Sequence, residues 1–195
     1  MIYFTSDTHF YHKNIIDYCA RPVLSNTINE MNEILIYRWN ERIKQDDEVY
    51  HLGDFAFCSN EKRATIIKLL NGVKYLIRGN HDPKRDEWWR DAGFQWVRDY
   101  YKLAVHDNYQ DEEGKLQQYH QPIILCHYPI LSWDGMAHAT WHLHGHCHGS
   151  IDQSWNKTGL RMDVGVDTNN LYPYSYEEIK KKMVMRTVVP VDHHG

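Results

Sequence analysis

The chain has 195 residues, enough to bury a sizeable core, and no linker-like stretch or composition break divides it. The formal net charge of −4 and the pI near 6.4 exclude an overall basic field that would recruit nucleic acid, although they leave a local basic groove open. No apolar stretch is long enough to cross a membrane, and the amino terminus lacks the features of a signal peptide. Four cysteines without CxxC spacing indicate reduced thiols, so a cytoplasmic protein is expected.

Strands and helices alternate in the first half of the chain. Short apolar strands are predicted at Ile2–Thr5, Glu48–Leu52 and Val73–Ile77. Helices with capping residues and a helical apolar period are predicted at about Ile28–Lys44, from Ser59 or Asn60 to Leu70, and after Pro83. This alternation predicts a parallel sheet with crossover helices.

The second half is predicted to be richer in strands. Alternating aromatic segments at about Gln95–His106 and Leu116–His120 flank an acidic turn, which predicts a β-hairpin with an exposed tip. Further strands are predicted at Ile123–Cys126, Leu160–Val166 and Thr187–Val191. A capping box at Ser175–Glu178 opens a helix that ends at about Met183.

Side chains of metal-ligand type follow five of the apolar strands. They are Asp7, Asp54, Asn80, His127 and His146. Each one alone is a weak signal, because a turn residue or a hydrogen-bonded histidine explains it equally well. In open α/β sheets, however, ligands bind outside the carboxyl ends of the strands. The ordered set of five therefore predicts a polar site at one edge of the sheet.

The densest group of metal-ligand side chains is the stretch Trp141–Gly149, which has histidines at positions 142, 144, 146 and 148. Imidazole is a common ligand for transition metals, whereas the alternative is a histidine-rich surface segment. In extended backbone, residues two apart point to the same side. We therefore expect His146 and His148 to project together and Cys147 to face the core.

These residues fall into five motifs that resemble, in order, those of the calcineurin-like metallophosphoesterases. The motifs are Asp7-Thr8-His9, Gly53-Asp54, Gly79-Asn80-His81-Asp82, His127 and Gly145-His146-Cys147-His148. The resemblance spans about Met1 to Pro173, and it includes Asp163–Asp167, which is similar to the closing strand of the family. It implies an α/β fold, a four-layer α-β-β-α sandwich of the metallophosphoesterase type, here without a cap and formed as a single domain over residues 1–195.

The resemblance also implies a centre of two divalent transition-metal ions. One ion would be held by Asp7, His9, Asp54 and His148, and the other by Asp54, Asn80, His127 and His146, with Asp54 as the bridge. Manganese is the expected metal, and Fe, Zn, Ni and Co are alternatives that suit the same nitrogen and oxygen ligands. Two ions about 3.5–4 Å apart can generate hydroxide at neutral pH and clamp a phosphate for in-line attack.

Other motif residues are expected to act on the substrate. The resemblance implies that His81 is a general acid for the leaving oxygen, oriented by Asp82, although a structural hydrogen bond is the alternative. His12, Asn14 and Arg21 are candidates for contacts with the phosphate or the leaving group. A role at a helix start fits Asn14 equally well, and a surface or packing role fits Arg21.

Three further histidines have predicted supporting roles. His51 alternates with Tyr50 just before the Gly-Asp motif, which favours a buried and hydrogen-bonded imidazole. His142 and His144 are candidates for orienting the metal ligands.

The predicted function is a metal-dependent phosphoesterase that hydrolyses a small phosphodiester or phosphomonoester, including a nucleotide, by attack of hydroxide generated at the metals. A nuclease with the same centre is the alternative, and it requires a basic groove flanked by aromatic residues. The acidic balance makes nucleic acid the less favoured partner. A non-catalytic binding module is least favoured because no motif residue is missing.

Overall fold

Parallel strands form most of the first sheet. The computed structural model describes residues 1–25, 27–151 and 159–188. Five strands of this part form the sheet: β1 (Ile2–Thr5), β2 (Glu48–His51), β3 (Val73–Ile77), β4 (Phe94–Arg98) and β9 (Tyr174–Ser175). Their order is β4-β3-β2-β1-β9, with β1 to β4 parallel and β9 antiparallel to β1. The carboxyl ends of β1, β2 and β3 therefore meet at one edge.

The second sheet combines a long hairpin with two parallel strands. Its members are β5 (Tyr100–Gln110), β6 (Leu116–Cys126), β7 (Trp141–His144) and β8 (Arg161–Asp163), in that order. Strands β5 and β6 are antiparallel, whereas β6, β7 and β8 run parallel to one another. An isolated bridge between Ser6 and Gly165 joins the ends of the two sheets.

Three of the five described helices begin where the capping residues predict, whereas the helix predicted to open at Pro83 begins at Asp86. The five are α1 (Ile15–Tyr18), α2 (Ile28–Arg42), α3 (Asn60–Leu69), α4 (Asp86–Ala92) and α5 (Tyr176–Met183). The side chains of Thr27, Ser59 and Ser175 each accept a backbone N–H in the first turn of α2, α3 and α5, respectively. Because these caps satisfy N–H groups that have no partner within the helix, they fix where each helix starts. No helix in the described part of the chain has the length and apolarity needed to span a bilayer.

Two large apolar clusters hold the layers together. One lies on the helical face of the first sheet, where Trp39 of α2 and Leu76 of β3 are buried together. The other lies between the sheets and joins Phe4 of β1 to Leu143 of β7. The predicted α/β sandwich is confirmed, and within the described residues the outer face of the second sheet is covered by Trp133 and Met136. Met136 belongs to a 3₁₀ turn of three residues rather than to an α-helix.

Several predicted elements of the second half differ in the structure. The segment Gln95–His106 is divided, because β4 belongs to the first sheet and β5 to the second. The strand predicted at Leu160–Val166 ends at Asp163, whose carboxylate accepts the backbone N–H of Gly165 (2.8 Å) and so closes a turn. Of the last predicted strand, residues 187 and 188 are not in a strand, and residues 189–191 lie outside the described residues.

Candidate metal centre

The ligand-bearing turns of both sheets meet at the predicted edge. Backbone hydrogen bonds tie them in pairs, from Asp7 N–H to the carbonyl of Gly53 (2.9 Å) and from Gly145 N–H to that of His127 (2.9 Å). Gly53, Gly79 and Gly145 allow these turns to approach one another closely, because they have no side chains. A side chain at Gly79 would collide with the Asp54 carboxylate, and one at Gly145 would collide with Asp7.

Five motif residues have left-handed backbone conformations. Their φ angles are 56° at Asp7, 48° at His9, 58° at Asp54, 71° at His146 and 48° at His148. They make up half of the ten described non-glycine residues with positive φ. Such conformations cost on the order of 1–3 kcal/mol each and are concentrated at functional sites. The backbone strain therefore marks this edge independently of the identity of the side chains.

The histidine stretch is not extended where the motif lies, because β7 ends at His144. The left-handed turns at His146 and His148 replace the alternation of an extended strand. Both histidines reach the site, but Cys147 is half-buried and lines the same cleft, so the prediction that it faces the core is wrong. Burial, together with nearby carboxylates, raises the pKa of the Cys147 thiol to about 12.

Asp7, His9 and His148 form what we call the first cluster. Both His9 Nε2 and His148 Nε2 lie 3.9 Å from Asp7 Oδ1, which is too far for a hydrogen bond. Among the described residues, Asp7 Oδ1 and both ring nitrogens of His9 are buried without a hydrogen-bond partner. Burial raises the pKa of Asp7 well above its usual value and lowers that of His9 to about 2. A cation among these atoms would satisfy Asp7 Oδ1 and His9 Nε2, with His9 in the neutral form that binds metals.

Asp54 lies between this cluster and a second group of ligands. Its Oδ1 accepts the backbone N–H of His81 (2.9 Å), which fixes the carboxylate. Its Oδ2 lies 3.6 Å from His9 Nε2 and 3.7 Å from His127 Nε2. One carboxylate oxygen thus faces imidazole nitrogens on both sides, which is the placement that a bridging ligand requires.

The second cluster consists of Asn80, His127 and His146. Asn80 Oδ1 lies 3.0 Å from His127 Nε2 and 3.1 Å from His146 Nδ1. His127 Nδ1 is 2.7 Å from the carbonyl oxygen of Leu52, which can only accept, so Nδ1 carries the proton. Burial lowers the pKa of His127 and favours the neutral ring, whose Nε2 is then an acceptor facing the Asn80 oxygen. A cation shared by the two acceptors resolves this conflict.

The donor atoms therefore fit metal ions. Ligand atoms of Asp7, His9 and His148 all lie within 4.8 Å of one another, as do those of Asp7, Asp54 and His127. Two ligands about 2.1 Å from a common ion lie roughly 3.0–3.4 Å apart, so the separations above need only small adjustments. The unpaired buried acceptors and the mixed nitrogen and oxygen set both match the requirements of a transition metal.

His81 lies outside both clusters, on the open side of the site. Its side chain is 47% exposed, and Nε2 is 4.0 Å from Asp54 Oδ2. The ring packs against Phe57, with centroids 4.7 Å apart. It lines a cleft of about 470 Å³ that also exposes parts of both clusters. His81 can therefore meet a group that is bound over the metal ligands.

Asp82 does not orient the His81 ring as expected. Its buried carboxylate accepts three backbone N–H groups, from Asp54 (2.8 Å), Phe55 (2.9 Å) and Gly79 (2.9 Å). The described contacts include no hydrogen bond between this carboxylate and the His81 ring. Asp82 instead holds together the two turns that carry Asp54 and Asn80.

The three candidate substrate contacts have different surroundings. His12 lines the cleft and stacks on Phe57 at 4.2 Å, and its Nδ1 is buried without a hydrogen-bond partner in the described ranges. Asn14 is exposed at the start of α1, and its side chain makes no capping hydrogen bond there. Arg21 is buried and bonded to Asp167, so its position favours the packing alternative over a substrate contact.

His51, His142 and His144 contact backbone groups of the ligand-bearing loops rather than the rings of the metal-ligand histidines. His51 is buried and hydrogen-bonded, as expected. Its ring accepts the N–H of Gly53 (3.2 Å) and lies 3.0 Å from the Thr8 hydroxyl. His142 Nε2 accepts the N–H of Ile130, in the loop that follows His127 (3.2 Å). His144 Nδ1 lies 3.0 Å from the carbonyl oxygen of Gly145. His142 and His144 thus support the loops that carry His127 and His146.

Three residues beside His148 were missed in the sequence. Asp167 Oδ2 lies 2.7 Å from His148 Nδ1, and Asp163 accepts the N–H of Gly149 (2.9 Å). Cys19, at the end of α1, lies within 4.8 Å of ligand atoms of both His148 and Asp167. The available signal was the pair of carboxylates in the segment Asp163–Asp167, which had been interpreted only as a strand.

The chain is similar to known proteins over most of its length. Residues 1–184 match the family described as calcineurin-like phosphoesterase. An uncharacterized protein of Methanocaldococcus jannaschii is 32% identical over 200 residues, covering 96% of each chain. The gene 66 protein of Mycobacterium phage L5 is 26% identical and covers 85% of this chain and 86% of its own. The crystal structure of a protein of unknown function from Aquifex aeolicus has a TM-score of 0.64 and 26% identity, over 93% of this chain and 98% of that one. The chain therefore belongs to the calcineurin-like phosphoesterase family.

Proposed function

We propose that the protein hydrolyses small phosphate esters at a centre of two divalent metal ions. Family membership supports a metal-dependent phosphoesterase in general. The observation that carries the finer proposal is the Asp54 carboxylate, which has one oxygen facing His9 and His127 at nearly equal distances. A single side chain placed in this way can serve two ions at once.

In this proposal each ion has four protein ligands. The first is held by Asp7, His9, Asp54 and His148, and the second by Asp54, Asn80, His127 and His146. When bound, such a pair of ions stabilises charge on a phosphoryl group and supplies a nucleophile at neutral pH. Manganese is the metal we propose first, and Fe, Zn, Ni and Co suit the same ligands.

His81 is proposed to donate a proton to the leaving oxygen. Its ring is half-exposed in the cleft and 4.0 Å from Asp54 Oδ2, so an ester held between the clusters brings its leaving group within reach. The backbone N–H of His81 is bonded to the Asp54 carboxylate, which ties the position of the acid to that of the bridge. A general acid in this role typically contributes about 10²–10⁴-fold to the rate.

The lining of the cleft favours a small substrate. Ile15, Tyr18 and Cys19 form a largely apolar wall, with His12 beside it. Among the described lining residues none is lysine or arginine, whereas tracking a nucleic-acid backbone requires a positively charged groove. We therefore favour a monoester or diester with one phosphoryl group and an uncharged planar or apolar substituent, such as a nucleoside, over DNA or RNA.

The test is metal reconstitution followed by a substrate panel. The metal-free protein is loaded with each candidate ion and assayed on phosphomonoesters, phosphodiesters, cyclic nucleotides and single-stranded oligonucleotides. We expect hydrolysis of small esters and little cleavage of oligonucleotides. Faster turnover of oligonucleotides would instead support the nuclease. Full metal loading without hydrolysis of any substrate would support a binding module.

A further inference from the structure

A buried ion pair lies against the first cluster. The Arg21 guanidinium binds Asp167 through two hydrogen bonds, Nε to Oδ1 at 2.8 Å and Nη2 to Oδ2 at 3.0 Å. The two side chains are 0% and 4% exposed. Removing one partner of such a buried pair leaves an uncompensated charge, so the two residues act as a unit.

Asp167 determines how His148 faces the site. Its Oδ2 lies 2.7 Å from His148 Nδ1, and because a carboxylate only accepts, this nitrogen carries the proton. The opposite nitrogen, Nε2, is the one that points toward Asp7 Oδ1, 3.9 Å away. A carboxylate that holds the rear nitrogen of a histidine in this way fixes both the tautomer and the orientation of a metal ligand.

Arg21 also holds the turn that carries the other two ligands of the first cluster. Its Nη1 donates to the carbonyl of Thr8 (2.8 Å), and its Nη2 donates to the carbonyl of Asp7 (2.7 Å). This turn is strained, since Asp7 and His9 both have positive φ angles. The guanidinium is a rigid planar fork, so it can hold several acceptors in fixed positions. One side chain thus joins the strained turn to the carboxylate behind His148.

The second cluster is positioned by other contacts. His127 is fixed by the carbonyl of Leu52, and Asn80 lies between His127 and His146. Within the described ranges, the side-chain hydrogen bonds of Arg21 and Asp167 reach the turn at Asp7 and Thr8 and the His148 ring, and not these residues. The ion pair therefore supports one half of the site.

We infer that Arg21 and Asp167 are positioning residues that set the affinity of the first metal ion and leave the second unaffected. This inference rests on the proposed two-metal centre. Loss of a residue that orients a ligand typically weakens metal binding by about 10–100-fold. The selectivity for one ion distinguishes this role from a general contribution to folding.

The experiment measures the affinity of each ion in Asp167→Asn and Arg21→Lys by titrating Mn²⁺ or Zn²⁺ into metal-free protein, with native mass spectrometry for stoichiometry. We expect one ion to bind about 10–100-fold more weakly in both variants and the other to bind as in the wild type. Asp107→Asn and Arg42→Lys are the matched controls. In the wild type, the buried Asp107 carboxylate pairs with Lys180, and Arg42 pairs with Glu178. Both controls should keep two wild-type affinities.

A double variant identifies the path of the effect. If Asp167 acts through His148, then His148→Ala and His148→Ala combined with Asp167→Asn should bind metal equally weakly, because the two effects are not additive. Additive losses would overturn the inference for Asp167. If Asp167→Asn fails to fold, Arg21→Lys, which keeps a positive charge, carries the test of selectivity.

Cys19→Ser separates positioning from direct ligation, because Cys19, His148 and Asp167 together could hold an ion themselves. We expect this variant to keep both affinities, and a loss equal to that of Asp167→Asn would overturn the inference. Unchanged affinities in Asp167→Asn and Arg21→Lys, or equal weakening of both ions, would overturn it as well. In those cases a wild type that binds two ions would leave the two-metal centre intact, whereas a wild type that binds one would remove both proposals.

Discussion

The two halves of the candidate metal centre hold their ligands in different ways. In the first cluster the ligand atoms of Asp7 and the two histidines are 3.9 Å apart and unpaired at Asp7 Oδ1 and His9. In the second cluster the Asn80 oxygen lies within 3.0 and 3.1 Å of two imidazole nitrogens. The ligand atoms of the first half therefore lie beyond hydrogen-bond range of one another, whereas those of the second half lie within hydrogen-bond range of one oxygen.

This difference indicates which half gains more stability when a metal ion binds. Each unsatisfied buried acceptor costs about 1–3 kcal/mol, and an ion in the first cluster removes that cost without displacing any existing hydrogen bond. In the second cluster an ion must replace the contact between the Asn80 oxygen and His146 Nδ1, which can already act as a hydrogen bond, so the gain is smaller. We therefore expect the first cluster to bind its ion more tightly.

The largest effect is expected where the two halves share a side chain. Asp54→Asn should lower turnover by about 10³-fold, at the upper end of what the loss of one charge-stabilising group costs, and should weaken both ions. Turnover and metal content are measured on the same preparation, with Asp107→Asn as a control for the loss of a buried carboxylate. If Asp54→Asn kept near-normal turnover and metal content, the bridge between the halves would be wrongly assigned.

An intermediate effect is expected at His81, which belongs to neither half. His81→Ala should keep both ions and slow alkyl esters by about 10²-fold, because an alkoxide needs protonation as it leaves. Nitrophenyl esters should slow much less, since nitrophenolate leaves without a proton. The measurement compares rates on both ester types with metal content, and His106→Ala, on the exposed hairpin, is the control.

Two other outcomes for His81→Ala would change the assignment. Equal losses on alkyl and nitrophenyl esters, with both metals retained, would indicate that His81 positions the phosphate. Loss of a metal would mean that His81 is a ligand and that the two halves have a further member.

The smallest effect concerns the metal-free protein, where the two halves should respond with opposite signs. Asp7→Asn should raise the stability of the metal-free protein, because it removes a buried carboxylate with an unpaired oxygen. Asn80→Ala should lower it by about 1 kcal/mol through the loss of a hydrogen-bond partner. Denaturant unfolding of both variants without metal tests the pair. A decrease of similar size in both would contradict the difference between the clusters.

The sequence predicts the ligand edge well because its signals are local. An apolar run followed by Asp, Asn or His places Asp7, Asp54 and Asn80 correctly at the ends of β1, β2 and β3. The helix starts at Thr27, Ser59 and Ser175 are likewise set by contacts within one turn. Such features follow from neighbouring residues and need no knowledge of the rest of the fold.

The errors lie where contacts between distant segments decide the conformation. The turn at His146 is held by Asp7, whose carboxylate accepts its N–H (2.9 Å), and this contact overrides the alternation predicted for Cys147. Asp82 is adjacent to His81 in sequence but binds the turn of Asp54 and Phe55, which follows a different strand, β2. Arg21 and Asp167 are 146 residues apart, so no local pattern could have paired them.

The most direct test of the two-metal centre is stepwise titration of the metal-free wild type, followed by native mass spectrometry and by thermal unfolding at each step. We predict that two ions bind in sequence. The ion of the first cluster should bind more tightly and should provide the larger increase in melting temperature. Binding of a single ion at saturation, with no second site at higher metal concentration, would contradict the central claim.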